Sequence, residues 1–393
     1  MNKVYHRIFL ISALLTTSLI TSIRVLYMFE YHTSAGQVAV LKGIFSVIVA
    51  LTELPTGIIA DKVSKKMSLA IGAVLFALHS LVYVVFPNYL GFVATQVLLA
   101  LSSSFISGAD DGYLDDYITE NTQDDYVDIA GKMEYWGGYV KAALFLASGY
   151  LYHINNKLNF LLTCGFGILA FIAVCMLPKT REKYVANKNG TNKFQEYVSD
   201  TIGVLKHIFA NRFIFGVTML SAVVMSLLIF NFEYYQIILS KLEFPSQYNG
   251  LLYASFMILG GIGAKLSKRM LDRMGVHGLF TLFIILIVAS YIVFALSQGW
   301  PFILAAIIVQ QIAFGSWGLV IKNIMFKNLP SQSVKSTMIS MNSLVTNFIK
   351  GGIVIALGYI LEYTNHAFVY EFMAAIMIAL LFMEVFCVAT KGK

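Results

Sequence analysis

Eight ionisable side chains stand inside long apolar stretches of this sequence, and any chemistry has to begin with them. Four are acids, Glu53, Asp110, Asp111 and Glu233, and four are bases, Arg24, Lys42, Lys141 and Lys350. A charge held in a membrane interior is costly and marks function by default. A carboxyl there has its pKa raised by desolvation and lowered by a nearby cation, and that competition can place its titration near neutral pH. Such a group can take up and return a proton. The opposing reading is a permanent acid–base pair that holds helices in register. Metal and covalent chemistry find little support. Cys164, Cys175 and Cys387 lie in apolar runs, the seven histidines are scattered, and no CxxC, HExxH or GxxxxGK[ST] occurs. No metal, no cofactor and no enzymatic reaction are therefore expected, and ATP is not the expected energy source.

The elements that position these charges follow from composition. Of 393 residues 58% are hydrophobic and only 12% charged, with a mean hydropathy of +0.74. Soluble proteins carry roughly 25% charged residues, so a soluble fold is excluded. A membrane helix needs about 20 mostly apolar residues. Runs of that kind fall at about 7–30, 37–60, 67–86, 90–117, 131–153, 158–178, 212–239, 248–266, 276–297, 301–325, 334–361 and 366–389. An all-α membrane protein with twelve transmembrane helices is expected. A polar linker over 179–211 separates a first six-helix half, 1–178, from a second, 212–393. Placing both termini in the cytoplasm puts 22 of the 28 Lys and Arg residues on the inner side and leaves only Lys157 and Lys241 outside. The positive-inside rule selects that orientation. The net charge of +7 is then a topology signal spread over every inner loop. Nucleic-acid binding, which needs a concentrated basic face, is not expected.

The halves repeat. YVKAALFLASGYLY (139–152) and FIKGGIVIALGYIL (348–361) align at an offset of 209 residues, pairing Lys141 with Lys350 and Gly149 with Gly358. ADKVSKKM (60–67) likewise resembles GAKLSKRM (263–270). Six spans separate each pair, so the halves are parallel repeats about an axis along the membrane normal. Lys141 and Lys350 then sit near mid-membrane, one in each half, flanking a central cavity suited to a carboxylate or phosphate. The alternative is that each neutralises an acid of its own half, Asp111 in the case of Lys141. At 1.5 Å per residue, Glu53 and Asp111 lie about 10 Å from the inner ends of their spans and share a depth.

The loop GIIADKVSKK (57–66), preceded by Glu53 in ELPTG, resembles the G-x-L-A-D-x-x-G-R-K loop of the major facilitator superfamily. SGADDGYLDDYI (107–118) and VKSTMISMNSL (334–344) are similar to stretches of a bacterial branch described mostly as drug or natural-product exporters. Ser64 replaces the usual loop Gly, the second-half loop lacks the Asp, and span five lacks the GPxxGG motif of many proton-coupled antiporters. The resemblance covers the whole chain. It implies two pseudo-symmetric six-helix halves, alternating access, and proton-driven export of small amphipathic compounds from a bacterial inner membrane by a monomer.

Within that resemblance, Asp111 with Glu53 is the expected proton carrier. Lys141, Lys350, Arg24 and Glu233 are expected at the substrate or a gate, with Tyr27, Tyr234, Tyr235 and Trp317 lining the path. In the loop motif, Gly57 allows close helix approach, while Asp61, Lys65 and Lys66 form an inner-face latch with Asp115 or Asp116. Tyr135 and Trp136 read as an interfacial belt, Lys42 as a snorkelling side chain and His79 as a packing residue. The paired lysines keep a rival substrate open, an anionic or zwitterionic product such as a siderophore or peptide. A lipid flippase is a further alternative.

Overall fold

A computed structural model describes residues 3–62, 64–122, 126–178, 203, 206, 209–296, 299–327 and 335–391. Among them all regular structure is helical. Ten segments are long and apolar enough to cross a membrane, and His366–Phe382 is a shorter apolar helix. The fifth expected span is a helix of 29 residues, Tyr126–Ile154, whose Asp128, Lys132, Glu134 and Lys141 make it less apolar than the others.

Packing divides the described chain into two compact units. The first draws on Met1–Thr33, Leu41–Asp200 and Gln247–Ala254, the second on Ser34–Val40, Thr201–Ser246 and Ser255–Lys393. The first unit contains α1 (Lys3–Leu14), α2 (Ser18–Thr21), α3 (Arg24–Glu30), most of α4 (Ala35–Lys62), α5 (Lys65–Val85), α6 (Tyr89–Ile106), α7 (Ala109–Asn121), α8 (Tyr126–Ile154) and α9 (Leu158–Cys175). Its centre is α5, which packs on α6 and α9. Gly72 makes the α5–α6 approach possible, because a Cβ there would stand 2.6 Å from Ile106 Cγ1. Small residues at such crossings are how membrane helices gain van der Waals contact. Across the same crossing Ser102 donates to the Gly72 carbonyl (2.8 Å) and Ser68 to that of Phe105 (2.6 Å). Asn159, fully buried on α9, donates to the carbonyls of Leu19 (2.7 Å) and Ser148 (2.9 Å). Asn159→Ala would strip both acceptors, each worth about 1–3 kcal/mol when left unmade. Its unfolding temperature in detergent is expected to fall by more than about 2 °C; an unchanged value would show that water replaces the amide.

Two spans are broken where uninterrupted helices are expected, and the connection between two others is short. The first is broken at Leu15–Thr17 and again at Ser22–Ile23. Hydroxyl side chains that bond locally compete with the helical ladder, and here Thr16 Oγ1 lies 2.8 Å from Ser18 Oγ and Thr21 Oγ1 donates to the Thr17 carbonyl at 2.9 Å. The fourth is broken at Ser107–Gly108, where Gly108 takes a left-handed φ of 76°. Glycine adopts that conformation without steric cost. Spans eight and nine are two helices that meet at a kink at Gly275, φ 68°, the first of them running on through LSKRMLDRM.

The second unit contains the first turn of α4, then α10 (Arg212–Lys241), most of α11 (Asn249–Leu296), α12 (Trp300–Lys327), α13 (Lys335–Tyr363) and α14 (His366–Lys391). Asn211 caps α10, its side chain accepting from the N–H groups of Phe213 and Ile214 at 3.1 and 3.2 Å. Its core holds a polar network: Asn231 and Tyr235 donate to Gln310 Oε1 (2.9 and 2.5 Å), and Gln310 Nε2 donates to Ser290 (2.6 Å).

The repeat-related glycines occupy matching places in the two units. A Cβ on Gly149 of α8 would stand 2.4 Å from the carbonyl oxygen of Gln247, just before α11. One on Gly358 of α13 would stand 1.9 Å from Ala39 Cβ in α4. Each unit thus contains one seam between a helix from one part of the sequence and the start of a helix from the other.

Candidate functional site

The first unit holds a half-open cavity of about 370 Å³. Two of that unit's three helix breaks open onto it: Leu15, Thr16 and Thr17 from one, Ser107 from the other. Ile8, Ile11 and Ser12 of α1, Leu69 and Phe76 of α5, and Leu99, Ser102, Ser103 and Ile106 of α6 complete most of its wall. The charged groups on the wall are Asp110 and Lys141.

Asp110 is held there by the break itself. It lies in the first turn of α7, where negative charge is favoured by the exposed N–H groups and the helix dipole. Its Oδ1 accepts from the Asp111 N–H at 2.9 Å, which fixes the carboxylate. Lys141, one-third exposed, reaches Glu134 Oε1 only at 3.5 Å, and that carboxylate is 81% exposed. A long, solvated ion pair of this kind contributes about 0–1 kcal/mol, so Lys141 keeps most of its charge for another partner.

The other expected site residues divide into three groups. Asp111 is exposed and does not line the cavity; it accepts a hydrogen bond from Tyr126. Burial first, then the Asp111 carboxylate, with Asp110 and Asp115 adding to it, pushes the Tyr126 phenol up to about 12. Glu53 is half-buried in α4 and also lies off the cavity. Lys141 therefore pairs with Glu134, and it shares the cavity wall with Asp110, not Asp111. In sequence the adjacent carboxyls of SGADDG are equivalent, and only the break at Gly108 decides which of them points inward.

A second group belongs to the cores. Arg24 is buried, and Tyr27 is fully buried among Tyr31, Tyr83, Phe92 and Phe160, donating to the Tyr83 carbonyl at 2.9 Å. In the second unit Glu233 is buried, Tyr234 donates to the Ala35 carbonyl, Tyr235 to Gln310, and Trp317 to Ser221 Oγ at 3.2 Å while stacking on Phe280. Lys350 donates to Asn347 one turn away. His79 is a buried packing residue bonded to the Phe76 carbonyl, and Lys42 lies over the Phe45 ring at 5.2 Å. Tyr135, Trp136 and Tyr139 form an exposed aromatic ladder on α8.

The third group is the loop motif. Lys65 pairs with Asp116 at 2.6 Å and donates to the Gly112 carbonyl at 3.2 Å. Asp116 rather than Asp115 is the partner; Asp115 is exposed. The side chain of Asp61 and the surroundings of Gly57 lie outside the described residues. Lys66 turns instead to the end of α9. It donates to the carbonyls of Cys175 (2.9 Å) and Leu177 (2.5 Å), while Arg7 takes that of Met176 (2.7 Å) and Tyr113 that of Pro178 (2.8 Å). These donors satisfy the orphan carbonyls that a helix C-terminus leaves. Lys65→Ala and Asp116→Asn are each expected to cost about 1.5–3 kcal/mol, and the double variant little more than either alone. Full additivity in a stability titration would contradict the pairing.

A helical chain with these apolar spans is built as a multi-pass membrane protein. It belongs to the Major Facilitator Superfamily, whose family model matches residues 8–359, and the chain is accordingly a transporter. The fold is that of the superfamily. It is similar to the nucleoside transporter NupG (TM-score 0.80, 14% identity, 98% of each chain covered). It is also similar to a bacterial homolog of the human lysosomal transporter Spinster in an inward-facing, unoccupied conformation (TM-score 0.73, 13% identity, 98% of this chain and 95% of that one). A POT family transporter in complex with 5-aminolevulinic acid gives TM-score 0.73 at 12% identity, covering 97% of this chain and 95% of that one. No curated protein sequence matches the chain.

Proposed function

We propose that this transporter exports small amphipathic organic compounds from a bacterial cell in exchange for protons. It works in the inner membrane as a monomer with both termini in the cytoplasm. Its halves, 1–178 and 212–393, are joined by the linker 179–211 and rock about the substrate site. The observation that carries the reading is Asp110, a carboxylate on the wall of a cavity onto which two helix breaks open. A carboxylate so placed takes either a proton or the cationic group of a substrate, and not both. Competition for one group is what exchange requires: the proton that enters displaces the compound, and the compound that binds displaces the proton. Asp110 replaces Asp111 as the coupling group because it is the one that faces the cavity; Glu53 is left to a supporting role in α4.

On this orientation the Gly149 and Gly358 seams lie at the outer ends of the helices, and both must part when the outer side opens. The test is accumulation of a panel of amines, amino acids and lipophilic cations in proteoliposomes under an imposed pH gradient. Gradient-driven accumulation of at least one class, abolished by a protonophore, supports the reading. Equal accumulation with and without the gradient overturns proton coupling.

A further inference from the structure

We infer that the cavity in the first unit recognises a compact zwitterion, its ammonium on Asp110 and its carboxylate on Lys141. This deepens the exchange reading above and rests on it. Lys141 is the observation that competition at Asp110 does not need. It stands on the same wall, half-buried, and its ion pair among the described residues is a long contact to an exposed carboxylate. A ligand with a single positive charge would be drawn to Asp110 and repelled by Lys141 across a medium of reduced dielectric. A ligand with a single negative charge meets the reverse conflict. A molecule carrying both charges meets neither, and its two ends are fixed in one direction.

Size and lining point the same way. About 370 Å³ is at the lower end of the roughly 300–1,000 Å³ of small-molecule sites. Beside its apolar share from α1, α5 and α6, the wall carries hydroxyls of Thr16, Thr17, Ser103 and Ser107, donors and acceptors that a bulky lipophilic cation leaves unmatched.

The probes are 5-aminopentanoate, pentylamine, pentanoate and tetraphenylphosphonium, titrated calorimetrically into the purified protein, Lys141→Met, Lys141→Arg and Asp110→Asn. The zwitterion is expected to bind about tenfold or more tighter than either half-molecule. Lys141→Met should bring the zwitterion and pentylamine to similar affinity, weakening the first and strengthening the second, and Lys141→Arg should restore the difference. If pentylamine or tetraphenylphosphonium binds as well as the zwitterion, depends on Asp110 and ignores Lys141, the zwitterion inference falls and exchange at Asp110 stands. If Asp110→Asn changes no probe's binding, or no probe binds, both fall.

Discussion

Asp110→Asn is expected to abolish gradient-driven accumulation, lowering it at least about 100-fold, while Asp111→Asn leaves it within about twofold. A charge-assisted hydrogen bond contributes about 1.5–3 kcal/mol, or roughly 10- to 150-fold in binding, and an amide cannot titrate, so the variant loses coupling as well as affinity. The two acids are neighbours in sequence, yet the turn at Gly108 aims one at the cavity and leaves the other exposed beside Tyr126. Accumulation in proteoliposomes under an imposed pH gradient makes the comparison. Equal losses in both variants would mean that the acids act as a pair, and a loss confined to Asp111→Asn would return the coupling role to that residue. Gly108→Ala bears on the same point, because a side chain at φ 76° is strained and a straightened helix would turn Asp110 away.

The second large effect is expected at the seams. Gly358→Val introduces branches where even a Cβ would stand 1.9 Å from Ala39 Cβ, and Gly149→Val does the same 2.4 Å from a backbone carbonyl oxygen. Overpacking of this kind costs about 1–3 kcal/mol. If the seams close and part during the cycle, that cost falls only on the closed state and shifts the equilibrium about 5- to 150-fold toward the parted one. Transport is expected to drop at least about tenfold in each variant, and a cysteine placed at Ser34 should become more reactive to a membrane-impermeant thiol reagent in Gly358→Val. Reduced transport with unchanged reactivity would mean that the seams are static packing.

Much of the architecture is written in hydropathy, because a bilayer demands one thing of every span and the demand is about twenty residues long. The fifth span was legible despite its charges, since Lys141 repeats at Lys350 in register. Helix breaks were not. Apolar runs continue through TTS at 16–18 and SSSFISG at 102–108, and hydroxyl residues sit as readily inside a membrane helix as at its end. The loop motif gave Lys65 and its acidic partner on α7, but not the role of Lys66, because carbonyls at a helix end leave no mark in side-chain identity. Tyr27, Tyr234, Tyr235 and Trp317 look alike in sequence whether they line a path or fill a core; each is buried with its polar atom bonded inside its own unit. The cavity residues Thr16, Thr17, Ser103 and Asp110 carried only the weak signal of hydroxyl clusters beside an acid.

In the proposed exchange a proton and the transported compound compete for one carboxyl, Asp110. Proton release on binding tests it most directly, by adding 5-aminopentanoate to purified protein in weakly buffered detergent and following a pH dye. Over the pH range where Asp110 is partly protonated, the account predicts release approaching one proton per bound ligand, lost in Asp110→Asn and retained in Asp111→Asn. Binding without proton release at any pH, or release that survives Asp110→Asn, would contradict it.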